Sequence, residues 1–181
     1  MLQVQRWFQG GPAVDDEIRA RFGAAVEAAL AGELDHWADT PRGRLALVIL
    51  LDQFTRNVFR GDPRTYAGDA KAVALVLDAF ERGLDQGLGF VARNFLSMPL
   101  LHSENLADHL RLAELSPSLT DNPPPGHEKY AAMTREQTVK YLDIIRRFGR
   151  FPHRNAILSR ESTPDEEAFL ADWATKSRPQ G

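Results

Sequence analysis

Residues 41–61, PRGRLALVILLDQFTRNVFRG, constrain the fold more than any other stretch. Leu45 to Leu51 are apolar without a break, so this segment must be covered on more than one side. A short apolar run suits a buried strand as well as a buried helix. Thr40 and Pro41 decide for helix: a capping residue precedes a proline at the first helical position, where its missing N–H is not needed. No turn signal follows before Gly61, so one helix is predicted from Pro41 to about Phe59. Leu47, Leu50, Leu51, Phe54 and Val58 form its apolar stripe, and Leu45, Val48 and Ile49 cover much of the other side.

The rest of the chain carries the same period. Asp15 or Asp16 opens a segment with Ile18, Phe22, Ala25, Val26, Ala29 and Leu30 on one face, and Gly32 is its stop. Tyr66 to Arg82 places Ala70, Val73, Ala74, Leu77 and Phe80 together. Phe90 to Leu115 reads as a helix broken at Pro99, because an internal proline removes a hydrogen bond and crowds the preceding turn. Residues 116–126, SPSLTDNPPPG, read as a rigid polar loop, and Lys129 to Phe148 as helix. Thr163-Pro164-Asp165-Glu166 is a capping box that opens a last helix to about Ala174. No segment alternates with the period of a half-buried strand. The expected fold is all-α, built of antiparallel helix hairpins in one domain over residues 1–181, with an arm at 1–14 and a tail at 175–181 on its periphery.

Charge and composition narrow the function. The chain of 181 residues has a formal charge of −3 and a pI near 6.0. A dedicated nucleic-acid binder needs net positive charge, so no nucleic-acid partner is expected. The absence of cysteine excludes disulfides, thiolate metal sites and a cysteine nucleophile. The apolar run at 45–51 is far shorter than a membrane span of ~20 residues, and MLQVQRWFQGG lacks the features of a signal peptide. A cytoplasmic protein with no membrane partner is expected.

Three clusters carry chemistry. Asp52, Arg56 and Arg60 follow at steps of four along one line of the first helix. Asp52 either closes an i,i+4 pair with Arg56 or orients that arginine toward a pocket. In His102-Ser103-Glu104-Asn105, neighbouring helical positions point about 100° apart, so Ser103 and His102 are poorly placed for proton transfer to each other. No helical spacing of histidines suits a metal, and neither a metal nor a cofactor is expected. The third cluster, RRFGRFPHRNAILSR at 146–160, holds five arginines and no acid. Arg146 and Arg147 suit a helix C-terminus and Gly149 its left-handed stop. Arg150, Arg154 and Arg160 lie beyond it, where guanidinium groups can hold carboxylate or phosphate in a fork. Their partner is a ligand or internal carboxylates such as Asp52 and Glu104. FTRNVFRG and FPHRNAIL also echo each other, which hints at structural repetition.

LALVILLDQFTRNVFRG, MPLLHSE and RRFGRFPHRNAILSRESTPDEEAFL, with RWF near the start, resemble the bacterial domain-of-unknown-function family 924 over nearly the whole chain. The resemblance implies an all-α fold similar to tetratricopeptide-repeat helical arrays and no established activity. This chain departs from the usual pattern at Thr55, where proline is usual, at Tyr141, where histidine is common, and at Ser159, where glycine is common.

The residues point to a pocket for a small anion, a phosphate ester or carboxylate. Arg56, Arg60, Arg150 and Arg154, with Asn57 and Asn155, are the expected contacts, and Asp52 and Glu104 hold them in place. His153 or His102 is the expected general acid–base if a reaction occurs, since histidine titrates near neutral pH. The alternative is a helical module that binds a peptide or protein in a groove, with the arginines in an internal salt-bridge network.

Overall fold

The structure is a computed structural model and describes residues 11–176; the RWF motif and residues 177–181 lie outside the described residues. Helix α1 (Pro12–Ala31) begins one turn earlier than the acidic pair suggested, with a proline in its first turn. It ends at Gly32, whose φ of 85° lets its N–H turn back to the Ala28 and Ala29 carbonyls. After a 3₁₀ turn at Asp35–Asp39, Thr40 caps α2 (Pro41–Val48) by accepting the Gly43 N–H at 3.1 Å. The apolar run is therefore helical. It does not stay α-helical, however. The helix widens into a π turn at Ile49–Phe54 and tightens again in α3 (Thr55–Val58). Thr55 is buried, and its hydroxyl donates to the Leu51 carbonyl at 2.9 Å.

The π turn has a neighbour that fits only without a side chain. A Cβ on Gly68 would sit 2.3 Å from the Leu51 carbonyl oxygen, against backbone that cannot swing aside. Gly68→Ala is expected to destabilise the protein by about 1–3 kcal/mol, the usual cost of overpacking. Urea unfolding checks this, and an unchanged midpoint would mean that the two backbones are not in contact.

Gly68 also explains why the expected helix at 66–82 is split. Pro63–Tyr66 form a 3₁₀ turn, with the Arg64 N–H donating to Asp62 at 2.7 Å, and α4 (Asp69–Glu81) starts after the glycine. Two proline expectations are corrected. Helix α5 (Phe90–His102) runs through Pro99, and the break falls later, where Asn105 caps α6 (Leu106–Thr120) by accepting the Ala107 N–H at 3.0 Å. Helix α6 in turn runs through Pro117 into the segment expected to be loop. Its last carbonyls are not left open: Arg93 donates to Ser118 O, Asn94 to Leu119 O and Arg135 to Thr120 O, at 2.9–3.0 Å. Helix α7 (Glu128–Phe148) stops at Gly149, with φ of 68°. A 3₁₀ turn at Pro152–Arg154 follows, then α8 (Pro164–Lys176). The capping box is present: Glu166 accepts the Thr163 N–H at 2.8 Å and Thr163 accepts the Glu166 N–H at 3.3 Å.

The described residues are all-helical, with no strand. Helix α2 and its π turn lie between two apolar clusters. Leu47, Leu50, Leu51 and Phe54 pack with Val26 and Ala29 of α1 and Ala72 of α4. Val48 faces the other way, onto Val76, Ala79, Leu96, Leu100, Leu112 and Leu119. This two-sided burial is the reason for the unbroken apolar run. A third cluster, built on Ile144, Ile145 and Phe151, joins α7 to α8 through Phe169 and Trp173. Among the described residues no helix is long and apolar enough to cross a membrane.

Candidate functional site

The π turn carries Asp52 inward, to complete burial. The last residue of α5 meets it there. His102 Nδ1 lies 2.7 and 2.9 Å from the two carboxylate oxygens, Gln53 donates to one of them, and Arg56 Nη2 is 3.3 Å away. Burial opposes ionisation of Asp52, but the charges of His102 and Arg56 and the donated hydrogen bonds prevail and hold its pKa at about 2. An ionised carboxylate only accepts, so the proton between the pair belongs to His102 Nδ1.

Arg56 reaches past Asp52 to α4. Its Nη1 and Nη2 bond the two oxygens of Asp69 at 3.0 and 3.2 Å. Arg154, at the end of the 3₁₀ turn, comes to the same carboxylate from the other side. Its Nη2 donates to the His102 carbonyl at 2.7 Å, but its Nη1 is 3.4 Å from Asp69 Oδ2. The Arg154 guanidinium lies over Tyr66 at 4.3 Å and over Phe151 at 4.7 Å from the ring centroids. It is 6% exposed, and its Nε has no partner among the described residues. Burial lowers its pKa and the nearby Arg56 acts in the same sense, with Asp69 opposing.

A second layer fixes the turn that presents Arg154. Glu104 accepts the Phe151 N–H at 2.7 Å and a two-pronged bond from Arg160 at 2.7 and 2.9 Å. Arg160 also donates to Asn155 Oδ1 at 3.1 Å, and Asn155 donates to Ser162 and Glu166 at 3.0 and 3.3 Å. Arg150 binds both oxygens of Glu166 at 2.7 and 2.8 Å, which holds that carboxyl at about 2. Ser159 has φ of 52°, a left-handed conformation that glycine adopts most readily. Tyr141 packs edge-on to Phe151 and Trp173, at 5.4 and 6.4 Å.

The candidate residues thus divide. Asp52, Arg56, His102 and Arg154 come together, and the Asp52–Arg56 pair exists alongside Arg56–Asp69. Arg60 and Asn57 face Asp15 of α1 instead, each with a bond of 2.8 Å, because the chain turns away after Val58. Arg150 and Asn155 are committed to Glu166, and Glu104 pairs with Arg160 rather than with Arg150 or Arg154. His153 is exposed on one side, with its ring stacked on Trp173 at 5.9 Å and 16°; desolvation of that packed ring and the Arg154 charge push its pKa down. The echo between 54–61 and 151–158 is not a local repeat, since Arg56 and Asn57 sit on a helix while Arg154 and Asn155 close a 3₁₀ turn. Arg160 takes up an internal carboxylate, Glu104, as one of the two expected partners of the arginine stretch, whereas Asp69, Tyr66, Asp15 and Glu166 are site neighbours the sequence reading does not include. Only Glu166 had a local signal, its capping box. Asp69 joins Arg154 across 85 residues. Among the described residues no group of three histidine or acidic side chains is placed to hold a metal ion.

Comparison with known proteins agrees with this picture at the level of family and fold. No curated protein matches the chain. A solved structure, that of a protein of unknown function, ATU0120, from Agrobacterium tumefaciens, is 37% identical, with a TM-score of 0.80, and the match covers 92% of this chain and 88% of that one. The model of a family described as bacterial proteins of unknown function, DUF924, matches residues 1–173, and the chain belongs to that family.

Proposed function

We propose that Arg56 and Arg154 are the receiving groups of a site for a small anion, a phosphate ester or carboxylate, beside His102. The observation that carries this reading is the sharing of Asp69. Two guanidinium groups converge on one carboxylate, and Arg154 holds its edge only at 3.4 Å. The neighbourhood is not sealed, with side-chain exposures of 23% for Arg56 and 17% each for Asp69 and His102. An entering anion takes over Arg154 Nη1 while Asp69 stays on Arg56, and the fork on Arg154 is then filled. Arg60, Asn57, Arg150 and Asn155 have internal partners and serve to hold the scaffold. The protein works as a cytoplasmic all-α array of helix hairpins, similar in plan to tetratricopeptide-repeat proteins.

A ligand that binds only the native state stabilises it by about 2.7 kcal/mol at a hundredfold excess over Kd. Millimolar phosphate or succinate, at constant ionic strength, is expected to raise the melting temperature. Arg154→Lys keeps the charge but loses the planar fork, so it should remove most of the shift, and Arg146→Lys on α7 should not. A shift no larger than that given by chloride, or one indifferent to Arg154→Lys, would sink the proposal.

One observation favours a second reading, a non-catalytic interaction module. Three arginines are fully engaged by internal carboxylates, as Arg60–Asp15, Arg150–Glu166 and Arg160–Glu104. A cavity of about 300 Å³ between α7 and α8, lined by the apolar Ile144, Phe148, Phe169 and Trp173 and by two cations and two aspartates, would be its groove. Under this reading no anion stabilises the protein beyond chloride, and Arg154→Lys weakens the unliganded fold.

A further inference from the structure

His102 differs from the other histidines at the centre of the fold. His109 is fully buried, with Nε2 on the Ser103 carbonyl at 2.7 Å and Nδ1 enclosed without a partner. His153 is stacked between Phe151 and Trp173, and none of its contacts is a carboxylate. His102 has a wholly buried carboxylate on Nδ1, whereas its Nε2 has no hydrogen-bond partner among the described residues and is not among their enclosed atoms lacking one. Nε2 is therefore not sealed off, on a side chain that is 17% exposed. With the proton fixed on Nδ1 by Asp52, the neutral ring presents the Nε2 lone pair outward. Asp52 then stabilises the imidazolium that forms when Nε2 takes a proton, as the acid of a catalytic triad does.

We propose that Asp52 and His102 form a general-base dyad, and that the site hydrolyses a small ester bearing a negative charge. This rests on the anion site proposed above, because Arg154 and Arg56 hold that charge next to the base. Arg154 donates to the backbone carbonyl of His102 itself, which places the anion-binding group and the base on one unit. Water is the nucleophile. The hydroxyl nearest in sequence, Ser103, donates to Asp108 at 2.5 Å, and among the described residues no side-chain hydroxyl or amine bonds His102. Nε2 takes a proton from water as the water oxygen bonds the acyl carbon or phosphorus. The bond to the leaving oxygen breaks, and Nε2–H returns the proton to that oxygen. Ester and water give acid and alcohol, and Asp52 stays ionised throughout. His102 is the catalytic residue and Asp52 its positioning residue. The substrate charge is matched by guanidinium groups that also face the oxyanion of the transition state.

The probes are mono(4-nitrophenyl) succinate and 4-nitrophenyl phosphate, as anionic acyl and phosphoryl esters, with 4-nitrophenyl acetate as the neutral comparison. At least one anionic probe should release nitrophenolate faster than buffer does, in proportion to protein. His102→Gln should lower that rate about 100-fold or more, the range of general-base catalysis. Asp52→Asn should lower kcat and move the acidic limb of the pH–rate profile, the limb set by protonation of the base, toward lower pH, with KM little changed. Arg154→Lys should raise KM for the anionic probe. Because Asp52→Asn can compromise folding, nitrogen NMR of the wild-type protein supplies a second readout, in which the neutral His102 ring carries its proton on Nδ1 and is bare on Nε2. No turnover of either anionic probe, turnover unaffected by His102→Gln, or a proton on Nε2 of the neutral ring overturns the proposal. If phosphate still raises the melting temperature through Arg154, the anion site stands without hydrolysis. If His102-dependent turnover occurs without any anion-induced shift, the dyad stands and the anion site falls.

Discussion

Phe151→Ala is expected to destabilise the protein by about 3–5 kcal/mol, the cost of deleting a fully buried aromatic side chain. Phe151 is 0% exposed, and its ring is surrounded by His109, Tyr141, His153 and the Arg154 guanidinium. Helices α6, α7 and α8 cannot close over the gap independently, because the neighbours are themselves tied to one another. Chemical denaturation should show a lower midpoint with an unchanged slope. Phe151→Leu, which restores most of the volume, should lose much less. A loss below about 1 kcal/mol for the alanine variant would mean that the turn at 151–155 is not packed as described. The functional consequence is specific, since Phe151 is one of the two walls that keep Arg154 in place.

Glu104→Ala is expected to cost about 3 kcal/mol near neutral pH, as is usual when one partner of a largely buried ion pair is removed. The carboxylate gathers the Phe151 N–H and both terminal Arg160 nitrogens; without it the N–H and Nη1 lose their acceptor, and Nη2 keeps only the Phe151 carbonyl at 3.2 Å. Burial works against its ionisation, yet Arg160, the Phe151 N–H and Arg154 keep its pKa below the ordinary glutamate value. A carboxyl whose pKa is lower when folded contributes stability above its unfolded pKa and loses it as pH falls through the folded one. The difference between wild type and Glu104→Ala should therefore be flat above about pH 5 and shrink toward acid. Unfolding free energies measured from pH 7 to pH 3 decide this. A difference that grows on acidification would show that Glu104 is not the ionised anchor of the turn.

Much of the fold was legible because helix signals are local. Thr40-Pro41, Gly32, Gly149 and the Thr163–Glu166 box sit within a few residues of the ends they define, and each does what its chemistry suggests. The two prolines misled for the opposite reason. Pro99 and Pro117 are accommodated by tertiary contacts, with Leu100 and Leu119 in the core and three distant side chains on the last carbonyls of α6. The π turn gave no local sign, because its residues are those of any apolar helix. At the site, the chemistry of the candidates was readable and their pairing was not. Four-residue spacing found Asp52 with Arg56, but Arg60 on the same line turns to Asp15 once α3 ends. Glu104 and Arg160, 56 residues apart, meet only through the packing of α5 against the 151–155 turn.

The central claim, an anion held by Arg56 and Arg154 beside His102, is tested most directly by diffraction from crystals soaked in tungstate. The account predicts an anomalous peak within hydrogen-bonding distance of Arg154 and Arg56, next to His102 Nε2, with the Arg154 edge withdrawn from Asp69. Peaks confined to exposed arginines such as Arg146 and Arg147, with Arg154 unmoved against Asp69, would contradict it.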